Sequence, residues 1–262
     1  MNYWTALEEE LNRWEEEGRV ATFWWRDDDL NEPTEALDRL LSLRSHFGIP
    51  LTLAVIPDRV DPVLADLVDG CHVVQHGVFH RNFAEEGEKK SEFPPSRDDE
   101  EVLEDILQGQ ARLKDVFEED FLPVFVPPWN RIDDAYLAGL TQHGFVGLSR
   151  YKSRRFPLPV PGLAEVNTHV DPIFWKGDRG AVPEQDVLRL VTEHLMARRQ
   201  GLADPWEPTG LLTHHLVHNE DVWTLCFKLL DFLNARRAVR WLTLPGAMAL
   251  IDDFPGVLPD KG

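Results

Sequence analysis

The chain alternates between short apolar runs and longer amphipathic stretches, and that rhythm predicts its elements. "VATFWW" (20–25), "LTLAVI" (51–56), "HVVQ" (72–75), "PVFVP" (123–127), "FVGLS" (145–149) and "GLLTHH" (210–215) read as buried strands. Between them, apolar residues return every three or four positions over about 3–17, 33–48, 97–119, 132–142, 184–199 and 220–235, the period of a helix with one buried face. "PVLADLVDG" adds a short helix, residues 81–96 a polar loop, and the proline-rich "RFPLPVPG" a connector. "AEVNTHV" and "VRWLTL" complete the pattern. Thr34 stands where a helix needs an N-cap, and Gly18 and Gly48 where helices stop. Repeated strand–helix units favour a parallel sheet or barrel with its site at the C-terminal ends of the strands.

Composition narrows the picture. The 262 residues, 43% of them hydrophobic, suffice for one α/β domain over 1–262, with an N-terminal helix at 1–18 and a C-terminal tail at 252–262. A formal net charge of -19 argues against nucleic-acid phosphate or an anionic membrane as partner. Cys71 and Cys226 form no CxxC pattern, so neither a disulfide framework nor a cysteine-built zinc site is expected. The acidic, amphipathic start has no apolar leader core, and no run is long enough for a membrane span, so a cytoplasmic protein with reduced thiols is expected.

The chemistry-bearing residues fall at the ends of the strand runs. "WRDDDL" crowds Asp27, Asp28 and Asp29 beside an aromatic strand, where like charges are costly unless a cation sits among them. "QHGVFH" places His76 and His80 four residues apart; one helical turn would put both imidazoles on one face, able to share a metal. Two histidines and one aspartate leave open positions on zinc or a similar divalent ion, as catalysis requires. At "FVPPWNRID", Trp129 offers a flat face of the kind that stacks on sugar rings, and Asn130 and Arg131 could bind substrate or orient a carboxylate. In "GLLTHHLVHNED", alternation puts His214 and His215 on opposite faces, so one of them enters the site to protonate a leaving amine, tuned by Asp221 or another acid. His169 and Asp171 are left as wall residues, and Lys89 and Lys90 sit in a loop that could reach an anionic group.

Taken in order, these segments resemble the polysaccharide deacetylase family, carbohydrate esterase family four and its relatives, over roughly residues 20–245. "RDDDL" is similar to the family's T-F-D-D-G, "HGVFH" to its H-x-x-x-H, "VPPWN" to R-x-P-Y-G and "LLTHH" to L-x-x-H. The resemblance implies a distorted (β/α) barrel of about seven parallel strands. It also implies a divalent metal, zinc first, with cobalt, manganese or nickel as alternatives. The expected activity is hydrolysis of an N-acetyl or similar acyl group on a carbohydrate or sugar-derived small molecule. Another non-peptide C–N bond, or a relative that only binds carbohydrate, is the alternative.

By the resemblance His76, His80 and one aspartate hold the metal, the preceding aspartate is the base, and His214, ahead of His215, is the acid. The triplet permits two registers: Asp27 base with Asp28 ligand, or Asp28 base with Asp29 ligand. Forms of the motif reading R-x-D-D are similar to the second. Val126 stands where the family has the arginine that supports the base, so Arg26 or Arg131 must substitute. The opening motif also lacks the family's glycine and following proline, which implies a different approach path for substrate.

Overall fold

The computed structural model describes residues 2–177 and 179–251; the expected tail at 252–262 lies outside them. The strands are β1 (Ala21–Leu30), β2 (Thr52–Val55), β3 (His72–His76), β4 (Phe121–Val126), β5 (Gly147–Leu148), β6 (Ala164–Glu165), β7 (Thr209–Thr213) and β8 (Val239–Trp241). They form one parallel sheet in the order β6-β5-β4-β3-β2-β1-β7, with β8 also pairing the start of β1. Just past β6, a parallel bridge from Val170 to Leu211 of β7 brings the two edges together. The result is a curled, distorted barrel of seven parallel strands, as expected, with β8 as a short addition.

Period-two alternation sorts the β1 side chains between two cores. Phe23 and Trp25 face the outer layer, with Leu7, Leu11 and Trp14 of α1 (Tyr3–Glu16), Leu37 and Leu40 of α2 (Glu35–Phe47), and Leu229 and Leu230 of α7 (Glu220–Asn234). Trp24 instead faces inward, with Ala54, Val74, Val124 and Val126, and α8 (Leu244–Ala249) adds Leu244 and Ala247 to that inner cluster. The remaining helices are α3 (Leu64–Leu67), α4 (Asp99–Phe117), α5 (Leu137–Gln142) and α6 (Glu184–Arg199). Thr34 caps α2 by accepting from Leu37 N at 3.1 Å, and Gly48 ends it in the left-handed conformation.

Several elements differ from expectation. β1 runs past the aromatic run through all three aspartates, the helix expected over 132–142 is α-helical only from Leu137, and "FVGLS" keeps a two-residue strand. Pairing extends β1: β7 hydrogen-bonds it as far as Asp27 and β2 meets it again at Leu30, while β7 also captures the segment at 169–170.

Candidate active site

Two residues of β1 on its inner face, Arg26 and Asp28, form a buried two-pronged ion pair. Arg26 Nε donates to Asp28 Oδ1 at 2.8 Å and Nη2 to Oδ2 at 3.0 Å. Arg26 is itself fixed by Ser149 Oγ at 2.6 Å and Asn130 Oδ1 at 2.7 Å. Val126 offers Asp28 no such contact, and the arginine that makes it comes from the aspartate's own strand. Arg131 instead donates to the Lys90 carbonyl at 2.9 Å, at the edge of the site.

Strict alternation would put Asp29 opposite Asp28. A register shift prevents this: three steps from Asp27 to Leu30 match two from Leu53 to Val55, and Asp29 takes φ 75°. Asp28 and Asp29 therefore line the same cavity, while Asp27 faces the other way. Asp27 is fully buried; it accepts from Thr213 Oγ1 at 2.6 Å and His215 N at 3.1 Å and closely pairs with His215 Nδ1. Burial raises the Asp27 pKa, but the His215 charge and hydrogen bond outweigh it and leave the carboxyl below its usual range. An Asp27 catalytic role thus meets a carboxylate with no access to the cavity, a difference set by strand parity.

His76 ends β3, and the chain then turns through Gly77 (φ 57°) to His80 (φ 51°) rather than making a helical turn. The two imidazoles meet at Asp29, with Nε2 to Oδ1 distances of 3.1 Å for His76 and 3.2 Å for His80. Beneath the turn lies Glu92, fully buried, accepting from Phe79 N at 2.7 Å; its polar neighbours in "GEKKSEF" hid it in the sequence.

Hydrogen-bond direction tests the fit of this trio to a cation. His76 Nδ1 lies 3.0 Å from the Val126 carbonyl, which can only accept, so that nitrogen carries the proton. Nε2 of a neutral His76 then turns a lone pair toward the Asp29 carboxylate, an arrangement that needs a positive charge between them. Burial lowers the His76 pKa, but Asp28 and Asp29 more than offset it, so in the ion's absence a proton is favoured there. Burial would raise the Asp29 pKa, yet hydrogen bonds from His76 and His80 hold it well below the carboxylate range. The donor set fits a divalent ion, with metal and proton in competition.

A second buried trio, His169, His194 and Glu207, fails the same test. Gly210 N–H donates to His169 Nδ1 at 3.0 Å, so the proton of the neutral ring sits on Nε2, toward Glu207 at 3.5 Å. A protonated nitrogen cannot ligate, and the charges of Arg154 and Arg198 act on the same ring.

His214 follows β7, the neighbour of β1, with its Nε2 3.9 Å from Asp28 Oδ2 and its ring edge-on to Trp175 at 4.7 Å. The acid near it is Asp171, not Asp221, which is exposed in the first turn of α7. Burial raises the Asp171 pKa against the opposing effect of His214, while Trp175 Nε1 and Ile173 N hydrogen-bond its oxygens at 2.7 and 2.9 Å. His218 accepts from His214 N at 3.3 Å, and burial lowers its pKa to about 4.

These side chains line a cavity of about 610 Å³ with Trp129, Tyr151, Lys90 and Arg179. Trp129 packs against His80 at 4.7 Å; Asn130, expected to meet substrate, has its oxygen taken by Arg26. Asp29, His80, Trp129 and Asn130 all hold positive φ without being glycine. Such residues cost of order 1–3 kcal/mol each and collect where function over-determines the backbone. Ser149, Glu92, Tyr151, Trp175 and Arg179 carry no local motif, and tertiary approach alone brings them here.

No protein-family model and no curated protein matches the chain. Solved structures do. A Mycobacterium smegmatis protein assigned to the polysaccharide deacetylases aligns over 89% of this chain and 91% of its own, with TM-score 0.66 and 13% identity. The Puue allantoinase aligns over 91% and 92%, with TM-score 0.62 and 11% identity. A family 4 acetyl xylan esterase from Clostridium thermocellum, in complex with a cobalt ion, aligns over 87% and 91%, with TM-score 0.54 and 14% identity. At these identities the likeness is one of fold.

Proposed function

We propose that the chain is a metal-dependent hydrolase that removes an N-acetyl or similar acyl group from a carbohydrate or sugar-derived small molecule. One observation carries the reading: Asp29, His76 and His80 converge beside an arginine-clamped Asp28, with His214 in the same cavity. Asp29, His76 and His80 would hold a divalent ion, zinc first, which would supply Lewis acidity and lower the pKa of water. Asp28, oriented by Arg26, takes the proton of the attacking water. His214 gives a proton to the departing amine nitrogen, and Trp129 and Trp175 wall the acylated ring. The two-pronged contact of Arg26 with Asp28 supports a catalytic reading over one of carbohydrate binding alone.

A second reading, cleavage of another non-peptide C–N bond by the same residues, draws on the likeness in fold to the allantoinase, whose TM-score of 0.62 stands beside 0.66 for the polysaccharide deacetylase. Both are tested on protein purified without a histidine tag. About one equivalent of divalent metal is expected, lost in His76→Ala. Metal-loaded protein should release acyl groups from a panel of N-acetyl sugars, or open allantoin under the second reading, and chelation should stop it. Failure to bind metal under any loading condition would sink both.

A further inference from the structure

The cavity's charges balance unevenly. Each of its acids already has a partner: Asp28 has Arg26, Asp29 has two histidines, and Asp171 accepts from Trp175 and Ile173. Its three mouth cations, Lys90, Arg131 and Arg179, have no carboxylate partner among the described residues. Lys90 comes from the 81–96 loop, with its ammonium 5.9 Å from the Trp129 ring centre. Arg131 follows β4 and donates to the Lys90 carbonyl at 2.9 Å, tying the two segments together. Arg179 comes from a third segment, a flap closed by the antiparallel bridge from Ile173 to Ala181.

Several arginines elsewhere reach carboxylates, as in Arg39–Glu220, Arg97–Asp105 and Arg199–Glu10, whereas these three cations from three separate segments meet at one opening without one among the described residues. In a chain with 46 acidic and 27 basic residues, solvation alone does not call for three unpaired cations around one opening. We propose that Lys90, Arg131 and Arg179 select substrates carrying an anionic group, a phosphate or a carboxylate, on the molecule whose acyl nitrogen reaches Asp28 and His214. The proposal rests on the hydrolase reading for the reaction but not for binding. All three cations are exposed, so the preference should weaken with salt, as charges beyond about 8 Å are screened at physiological ionic strength.

The test is calorimetric titration of the metal-loaded full chain with N-acetylglucosamine, its 6-phosphate, its uridine diphosphate conjugate and N-acetylneuraminic acid. At least one anionic ligand should bind roughly tenfold or more tighter than the neutral sugar, and the phosphate and carboxylate arms identify the source of the charge. Lys90→Gln and Arg179→Gln should each cut that preference several-fold while leaving neutral-sugar affinity unchanged. Equal affinities, or no binding by any anion, overturn the proposal. So does a preference that survives in Lys90→Gln, Arg131→Gln and Arg179→Gln alike, which would assign the anion to the metal. Acyl release from the same ligands separates the two claims: charge-selective binding without release fails the hydrolase reading alone, and release without selectivity fails this one alone.

Discussion

Three adjacent aspartates with three environments should give three distinct losses. Asp29→Ala removes the carboxylate shared by His76 and His80 and should abolish metal binding. Asp28→Asn should keep the metal yet lose about 10²–10⁴-fold in acyl release, the usual worth of a general base. Asp27→Asn should keep the metal but cost about 3–5 kcal/mol of stability, because it breaks a fully buried pair and strands His215. Metal stoichiometry, product release and urea unfolding read these separately; metal lost from Asp27→Asn at full stability would reverse the assignment. Residue types made the aspartates and histidines legible as a cluster able to hold a metal beside a further carboxylate, but not the register between them. That choice is made by the left-handed turn at Asp29 and the slipped pairing with β2, and neither leaves a mark in side-chain type. Arg26 was legible only as one of two candidates, since its partner Asp28 is two residues away and its other partners come from distant strand ends.

Elements with strong local signals were readable: the α2 boundaries follow from Thr34 and Gly48, and the longest amphipathic run became α4. The segment after β3 was not, because HxxxH spacing fits a helical turn as well as the extended turn observed. Gly77 decides it. At φ 57° a Cβ on this residue would lie 2.2 Å from Glu92 Oε2 and 2.5 Å from Pro128 Cγ, so the turn is pressed against both. Gly77→Ala should therefore displace His80, weaken metal binding by at least about tenfold and destabilise the fold by roughly 1–3 kcal/mol. Thr34→Ala is the matched comparison: it should cost about 1 kcal/mol through the lost cap and leave metal affinity alone. Metal titration with thermal unfolding distinguishes them, and equal metal affinities in the two variants would mean that the turn does not set the position of His80.

At the scale of the whole molecule, the barrel closes at a seam that sequence reading assigned to wall residues. His169 pairs the chain after β6 with Gly210 of β7, and its ring stacks on His194 of α6 at 3.6 Å. Around them Arg198 reaches Thr209 at 3.2 Å, and Glu207 accepts from Arg154 N at 3.0 Å. Burial holds both histidines neutral, with pKa values below their ordinary 6.5, and raises Glu207 from 4.5 to about 7. The signs follow from which state binds more protons. Below pH 6.5 the unfolded histidines take up protons that the folded ones refuse, so stability is lost as pH falls, about 1.4 kcal/mol per unit for each full proton. Glu207 acts oppositely: folded Glu207 keeps a proton up to about pH 7 that the unfolded chain gives up near 4.5, so its contribution is lost as pH rises through that window. Between these limits two histidines outweigh one glutamate, and the seam should weaken on acidification by roughly one proton's worth per pH unit. Glu207→Gln removes the opposing term. In urea unfolding at pH 8 the variant should exceed the wild type by up to about 3 kcal/mol, and its advantage should shrink toward pH 4.5 as its curve falls more steeply. Because the two proteins share every other titrating group, including the metal trio, the difference isolates the seam. Parallel curves would mean that Glu207 is ionised in the folded chain and that Arg154 and Arg198, rather than a retained proton, hold the seam closed.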